Sequence, residues 1–354
     1  MEGKRIAACR LPNGRIGLSE EDIPPLKPGA VLVKVRNSLV SPGTELNGGW
    51  RALKEQWDNP PAGAKKRPFG YSNSGVVLEV GQGVEEFKPG DRVACVGVGY
   101  AVHANFAVAP HNLCVALPDK VSHAQGAYAM LAATALNALR RGQPQFGEYA
   151  AVVGLGILGQ LTAQLYQLAG NYVIGWEMIP LRVEIARQWG IHETALVGQE
   201  DEIEKTRAFT RGYGLDAAVF AVAGRGDQAF ARVEKCLKCS PDGHPMGTLV
   251  IVGGMPFDYT ARTTNFDIRR ASRTGPGYHD EAWEFGADYP PVFMRWTTRT
   301  NLELCMRLIA EGKLKVDGLT THVIPLARVE EGLGAIIHDP DRILGVVFQM
   351  EHSS

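Results

Sequence analysis

The sequence predicts an α/β fold with two parts, a β-rich domain and a doubly wound parallel sheet. Before about residue 125, short apolar runs alternate with prolines and glycines, which is typical of β-structure. After it, apolar strands alternate with periodic helical segments, which indicates a parallel sheet covered on both faces. The 354 residues are also long for one core. We predict a β-rich domain over 1–125, an α/β domain over 126–277, and an insertion and tail over 278–354 that return to the first domain.

In the β-rich part, each predicted strand is a short apolar run bounded by turn residues. The turn Pro89-Gly90-Asp91 shows the pattern, because proline presets one backbone angle and the next two residues tolerate tight geometry. The predicted strands are 6–9, 30–35, 74–81 and 92–96.

In the second part, apolar residues at spacings of three and four mark the helices, and shorter apolar runs mark the strands. The predicted helices are 124–141, 160–169, 180–189, 201–211, 227–237 and 301–311. The predicted strands are 150–153, a run ending at 177, 195–197, 215–222, 248–252 and a last one around 270–276, followed by a β-like tail through 323 and 346–348.

The clearest functional signal is a glycine-rich turn between the strand at 150 and the following helix. Gly154 allows a sharp turn, Gly156 lets the backbone approach a pyrophosphate, and Gly159 lets the helix pack close to the sheet. Ile157 and Leu158 begin the helix, whose free N–H groups and partial positive charge attract phosphate. The stretch therefore predicts a dinucleotide-binding domain; the alternative is a helix–sheet turn that binds nothing.

An acidic residue follows at the offset expected for a ribose contact. Glu177 lies eighteen positions after Gly159, where a carboxylate would accept hydrogen bonds from the ribose hydroxyls and repel a 2′-phosphate. Arg182 lies nearby and would favour a phosphate instead. The sequence therefore predicts NAD as the cofactor and makes NADP less favoured.

Composition excludes several other classes of function. The 37 Lys and Arg residues balance 38 Asp and Glu residues, so no nucleic-acid partner is expected. No apolar run approaches the length of a membrane helix, and the charged N-terminus does not resemble a secretory signal, so we expect a cytoplasmic protein with a small-molecule substrate.

The pair Cys236 and Cys239, near His244, is either a metal or redox site or, as we favour, two structural cysteines at a helix end.

Five motifs occur in an order that resembles the medium-chain dehydrogenase/reductase family. They are Ser41-Pro42-Gly43-Thr44-Glu45, Gly70-Tyr71-Ser72-Asn73-Ser74-Gly75, Pro89-Gly90-Asp91-Arg92-Val93, the turn at Gly154, and Leu319-Thr320-Thr321-His322. The resemblance covers essentially the whole chain. It implies a GroES-like catalytic domain beside the dinucleotide-binding domain, hydride transfer with a nicotinamide cofactor, and a homodimer.

The chain departs from this family where zinc members place their ligands. Those positions hold Pro42, Tyr71 and Ser72, none of them a good zinc ligand, and no cysteine lies near Ala129 or between Cys95 and Phe106. The chain therefore resembles the zinc-independent branch, with no metal expected. The segments 100–104, 288–290 and 295–297 resemble its bacteriochlorophyllide-dehydrogenase-like, or bi-domain, subgroup, which suggests sugar or polyol substrates.

Without zinc, a protein side chain must take the proton of the substrate alcohol. Tyr71 occupies a former ligand position, His103 is the residue type that ordinarily titrates near neutral pH, and Glu45 is a third candidate. Each has a structural alternative: a packed aromatic ring, a histidine held by hydrogen bonds, and a structural carboxylate.

The expected function is NAD-dependent, zinc-independent oxidation or reduction of a sugar-like or cyclic secondary alcohol. Two alternatives stay open: an NADPH-dependent quinone or enoyl reductase, and a non-catalytic dinucleotide-binding protein. One group of residues is expected either to line a ring-stacking substrate pocket or to pack structurally. Its members are Trp50, Arg51, Trp283, Arg295 and Trp296.

Overall fold

The computed structural model describes residues 3–46, 54–55, 57–60, 63, 65–258 and 264–350. The chain forms two compact units, one made of Met1–Ala133 with Thr274–Ser354 and the other of Thr134–Arg273. The predicted α/β fold class is confirmed, with an all-parallel sheet in the second unit and mostly antiparallel strands in the first.

The first unit contains two sheets. One has the order β2-β1-β4, and the other has the order β15-β16-β3-β5-β6-β8, with β7 also pairing with β3. The elements before residue 143 are β1 (Lys4–Arg10), β2 (Ile16–Asp22), β3 (Ala30–Leu39), α1 (Pro42–Glu45), β4 (Arg67–Pro68), β5 (Ser72–Val80), β6 (Arg92–Val96), β7 (Phe106–Pro110), β8 (Cys114–Ala116), α2 (His123–Gly126) and α3 (Ala129–Gly142). Alternate residues of β3, namely Val31, Val33 and Val35, face the core of this unit.

The second unit is a six-stranded parallel sheet with the order β11-β10-β9-β12-β13-β14. Its elements are β9 (Tyr149–Val153), α4 (Ile157–Leu168), β10 (Tyr172–Glu177), α5 (Pro180–Gln188), β11 (Glu193–Leu196), α6 (Glu202–Phe209), β12 (Ala217–Phe220), α7 (Asp227–Glu234), β13 (Met246–Val252) and β14 (Asn265–Ala271). The strand order reverses between β9 and β12. In open parallel sheets, ligands bind at the carboxyl ends of the strands at such a reversal.

The chain after residue 273 belongs to the first unit. Its elements are α8 (Glu281–Glu284), α9 (Thr298–Ala310), β15 (Thr320–Pro325), α10 (Val329–His338) and β16 (Gly345–Gln349). Strand β16 pairs in parallel with β15 and antiparallel with β3. No helix in the described ranges has the length and apolar character needed to cross a bilayer.

Two predicted elements differ from the structure, and one helix was not predicted. The strand expected around 270–276 lies at Asn265–Ala271, because Arg273 has a φ of 71° that ends the extended backbone. The helix expected over 124–141 is divided into α2 and α3. The Ser72 hydroxyl donates a hydrogen bond to the Ala127 carbonyl at 2.6 Å, so this carbonyl is not left to a continuous helix. Helix α10 was not predicted, although the parallel pairing of β15 and β16 requires a crossover of this kind.

Candidate functional site

The glycine turn after β9 contains three glycines. Backbone geometry requires glycine at Gly154 and Gly159, whereas the fold leaves room for a side chain at Gly156. Gly154 has a φ of 89°, and a Cβ at Gly159 would lie 1.8 Å from the Gly154 carbonyl oxygen. A Cβ at Gly156 would instead meet only Arg182 Nη1, at 4.0 Å. Ile157 and Leu158 form the first turn of α4, where backbone N–H groups have no partner within the helix. The turn therefore has the shape of an anion-binding loop.

The side chain of Glu177, at the end of β10, forms hydrogen bonds with both the loop after β9 and the loop after β10. One carboxylate oxygen accepts a hydrogen bond from Leu155 N at 2.8 Å. The other accepts from Met178 N at 2.7 Å and Ile179 N at 3.1 Å. The residue is 7% exposed. Glu177 therefore has a structural role that sequence spacing did not reveal, beside the predicted ribose role.

Arg182, in α5, lies against the same carboxylate. Its Nη1 is 3.6 Å from Glu177 Oε2, and its carbonyl oxygen accepts a hydrogen bond from Gln160 Nε2 at 2.7 Å. The guanidinium charge is thus compensated within the protein. The seven residues predicted to bind the cofactor all lie on the glycine turn, the end of β10 and the start of α5.

The side chains of the predicted catalytic residues His103 and Glu45 are hydrogen-bonded to each other in the first unit. His103 Nε2 lies 2.7 Å from Glu45 Oε2, and His103 Nδ1 lies 2.7 Å from the Ser38 hydroxyl. The Ser41 backbone N–H donates to the other oxygen of Glu45 at 2.9 Å. Sequence reasoning did not find Ser38, which is 65 residues from its partner His103.

The imidazole of His103 is enclosed on all sides. Its ring meets the edges of Phe69 and Phe348 at centroid distances of 5.2 Å, and the side chain is fully buried. Gly70 has a φ of 101°, and a Cβ there would lie 2.7 Å from the backbone nitrogen of His103. Both ring nitrogens are in hydrogen bonds, so this arrangement suits positioning better than direct contact with a substrate.

Tyr71, the third candidate, lies beside this cluster. Burial, and after it the negative charge of Glu45, raises the pKa of Tyr71 well above its usual range, although the side-chain hydroxyls of Ser41 and Thr44 lie beside its phenol and act to lower it. The phenol therefore stays neutral at physiological pH and keeps its O–H hydrogen.

The residues at the family's zinc positions do not fit a metal ion. Pro42 begins α1, and the Ser72 hydroxyl donates to the Ala127 carbonyl and accepts from Met130 N at 3.3 Å. The nearby imidazole and carboxylate, His103 and Glu45, are joined directly, with no gap for an ion between them. Across the described ranges, no group of three or more His, Cys, Asp and Glu side chains could hold a metal. Cys236 is buried and Cys239 is exposed.

The aromatic residues expected near a substrate are divided between core and surface. Trp283 is buried and stacks on Tyr289 at a centroid distance of 6.0 Å, which agrees with structural packing. The guanidinium of Arg295 lies 4.5 Å from the ring centroid of the exposed Trp296. Trp50 and Arg51 lie outside the described residues.

Comparison with known proteins agrees with this architecture. Residues 27–119 match the family model of the alcohol dehydrogenase GroES-like domain. The chain is 29% identical to the (R,R)-butanediol dehydrogenase of Bacillus subtilis, covering 78% of this chain and 79% of that protein. It is 25% identical to the D-guloside 3-dehydrogenase of Shigella flexneri, covering 86% of this chain and 84% of that protein.

A solved structure shows the same fold over nearly the whole chain. The alcohol dehydrogenase of Thermus sp. ATN1 superposes with a TM-score of 0.75 at 20% identity, covering 98% of this chain and all of that one. The GroES-like domain match and these dehydrogenase relatives support an oxidoreductase that is similar to the medium-chain dehydrogenases/reductases, and the solved structure shows that it shares their fold.

Proposed function

We propose that the protein transfers a hydride between NAD and a secondary alcohol of a polyol, sugar or cyclic compound, and that it does so without zinc. The observation that carries the proposal is Glu177, buried at the carboxyl end of β10 and bonded to the glycine turn through Leu155. A carboxylate at this position favours ribose hydroxyls and repels a 2′-phosphate.

The residues of the second unit fit a dinucleotide. The open space at Gly156 and the first turn of α4 would accept the pyrophosphate, and Glu177 would accept hydrogen bonds from the adenosine ribose. When bound, NAD supplies the acceptor for a hydride. Because the charge of Arg182 is already compensated by Glu177, it gives little support to an extra phosphate.

In the first unit, we assign Tyr71 to the oxygen of the reacting group. A phenol whose pKa is raised remains protonated and can donate a hydrogen bond to a carbonyl or hydroxyl oxygen. In carbonyl reduction the phenol can give its proton to the developing alkoxide, and in alcohol oxidation the hydroxyl proton passes to solvent as the hydride leaves for NAD. His103, Glu45 and Ser38 are then positioning residues, because their hydrogen bonds fix α1 and its side chains beside Tyr71.

The metal-free part rests on the donors at the former ligand positions. A proline ring, a buried phenol whose pKa is raised and a serine hydroxyl that is hydrogen-bonded to backbone do not form a tetrahedral zinc site. The substrate class draws on two relatives, which are named for butanediol and D-guloside, compounds with several hydroxyl groups. The homodimer and the cytoplasmic location stay predictions.

A substrate screen with metal analysis tests this proposal. Purified protein is assayed for reduction of NAD and, in parallel, of NADP by a panel of polyols, sugars and cyclic alcohols. Activity with NAD, at least tenfold better than with NADP, is expected, together with less than 0.1 zinc per chain and full activity after EDTA treatment.

Three results would contradict the proposal in different ways. Stoichiometric zinc, with activity lost on chelation and restored by zinc, would overturn the metal-free mechanism. Activity only in NADPH-dependent reduction of quinones or enones would assign the protein to that alternative. Tight NADH binding without turnover of any compound would favour a non-catalytic dinucleotide-binding protein.

A further inference from the structure

Two arginines lie directly opposite each other at one end of the small sheet in the first unit. Arg10, the last residue of β1, pairs in antiparallel register with Arg67, the first residue of β4. Opposed residues of an antiparallel pair point to the same face of a sheet, with Cβ atoms about 5 Å apart. Like charges in this arrangement repel each other, so the pair destabilises the sheet unless an anion compensates it.

The charge of Arg10 is partly withdrawn from water. Its side chain is half-buried, because its neighbour on the other side, Ile16 of β2, belongs to the core of the unit. Burial, and then the charge of Arg67, lowers the pKa of Arg10. Among the described residues, no acidic side chain is paired with either arginine. A partly desolvated cation without a counter-charge is unfavourable and attracts an anion.

A narrow cleft gives a ligand access to Arg10. Arg10 and Arg15 line it from the β1–β2 hairpin, together with Trp57 and Glu330. Glu330 lies 3.2 Å from Arg15 Nη1, so the charge of this carboxylate is already compensated. The open space is about 30 Å³, which admits a small ion but not a sugar or a nucleotide.

We propose that Arg10 and Arg67 form a binding site for a small oxyanion, and that its ligand is inorganic phosphate. Each guanidinium presents a fork of N–H groups that matches the oxygens of a tetrahedral oxyanion and donates charge-assisted hydrogen bonds to them. A phosphate dianion also has about twice the Coulomb attraction of chloride for the pair. The site lies in the first unit, and the inference does not depend on the proposed function, because neither arginine has a role in it.

The test measures the melting temperature of the full chain in phosphate and in chloride at equal ionic strength and neutral pH. Phosphate should raise the wild-type melting temperature in a saturable way, because it binds the folded state. Arg10→Gln and Arg67→Gln should each raise the half-saturating phosphate concentration at least about tenfold, as expected for lost charge-assisted hydrogen bonds. The control is Arg307→Gln, which removes an exposed arginine of the same unit, 3.8 Å from Glu311, and should respond like wild type.

A second readout follows from the repulsion between the two arginines. In chloride, Arg67→Gln should melt at or above wild type, since one of two opposed charges is removed. In saturating phosphate the order should reverse, because wild type alone gains the full binding energy. Arg67 is exposed, so this variant is expected to fold. An arginine with a purely structural role would instead lower the melting temperature by the same amount in both salts when replaced.

The comparison between variants decides the outcome, because the glycine turn of the second unit is also predicted to attract phosphate. If Arg10→Gln and Arg67→Gln respond to phosphate like wild type, or if chloride is as effective as phosphate, the inference is overturned. A wild type without a saturable response overturns it as well. The assay contains neither a nicotinamide cofactor nor an alcohol, so its failure leaves the proposed function standing, and failure of the substrate screen leaves this inference standing.

Discussion

At the residue scale, the glycine turn after β9 contains glycines of two kinds. Gly159 is glycine because α4 approaches the Gly154 carbonyl so closely that a Cβ has no room. Gly156 is glycine although the fold itself leaves its Cβ position open. A position where the fold tolerates a side chain, within a turn shaped for phosphate, is best explained by the ligand.

This difference gives a prediction for two alanine variants. Gly156→Ala should keep the wild-type melting temperature within about 2 °C but weaken NADH binding at least tenfold, because the added methyl group would occupy the approach of the pyrophosphate. Gly159→Ala should lower the melting temperature markedly, because its Cβ overlaps backbone. Fluorescence titration with NADH and differential scanning fluorimetry measure the two effects. Unchanged NADH affinity in Gly156→Ala would argue against binding at this turn.

The sequence predicts residues at this scale unevenly. Gly154, Gly156 and Gly159 are close in sequence and form one turn, and Glu177 was found from its spacing after that turn. Ser38 was missed, because its partner His103 is 65 positions away. No local pattern records such a contact. Burial of His103 was equally hidden, since one histidine in an unaligned sequence carries no information about its surroundings.

At the scale of elements, the sequence predicts periodic helices well and breaks within them poorly. The apolar pattern over 124–141 is continuous, yet the helix is interrupted by a turn at Ala127 and Tyr128, between α2 and α3. Ser122 precedes α2 and forms a capping box with Gln125. In addition, the Ser72 hydroxyl, from β5, donates a hydrogen bond to the Ala127 carbonyl. The first signal is local and could have been recognised, whereas the second depends on a residue 55 positions away.

The same short helix gives a pH-dependent prediction. His123, in α2, bonds through Nδ1 to the Ser74 hydroxyl at 2.9 Å. Burial, and then the charges of Arg92 and Arg36, lowers the pKa of His123 to about 4 from its usual 6.5. Above pH 6.5 the ring is neutral in both the folded and unfolded states. As the pH falls from 6.5 to 4, His123 becomes protonated in the unfolded chain but stays neutral in the folded protein, and the folded state loses stability.

His123→Gln should therefore show a shallower loss of stability over this pH range than wild type. Each unit of pKa shift corresponds to about 1.4 kcal/mol, and partial exposure of the ring reduces the total effect to about 1 to 2 kcal/mol. Melting temperatures at pH 7 and pH 4.5 measure the difference. The exposed His338→Gln is the control and should keep the wild-type slope. Parallel pH profiles for wild type and His123→Gln would refute the assignment.

At the scale of the whole molecule, one strand connects the tail of the chain to its beginning. Strand β16 lies between β15 and β3, so sequence-distant strands share a sheet. Its Phe348 is fully buried and packs edge-on against the His103 ring. The fold class could be predicted from the alternation of elements. The pairing of β16 with β3 could not be derived from periodicity, because an apolar run predicts a strand but not the strand with which it pairs.

Phe348 should accordingly be among the most important core residues of the first unit. Phe348→Ala removes a large buried ring, leaves a cavity beside His103 and loses one aromatic contact, so it should cost about 3 to 5 kcal/mol of the free energy of unfolding. Val323→Ala on the neighbouring strand β15 is the control, because Val323 is 54% exposed and should cost less than about 0.5 kcal/mol. Urea unfolding followed by circular dichroism compares the two variants. Equal unfolding midpoints would show that β16 contributes little to the core, and that the enclosure of His103 does not depend on it.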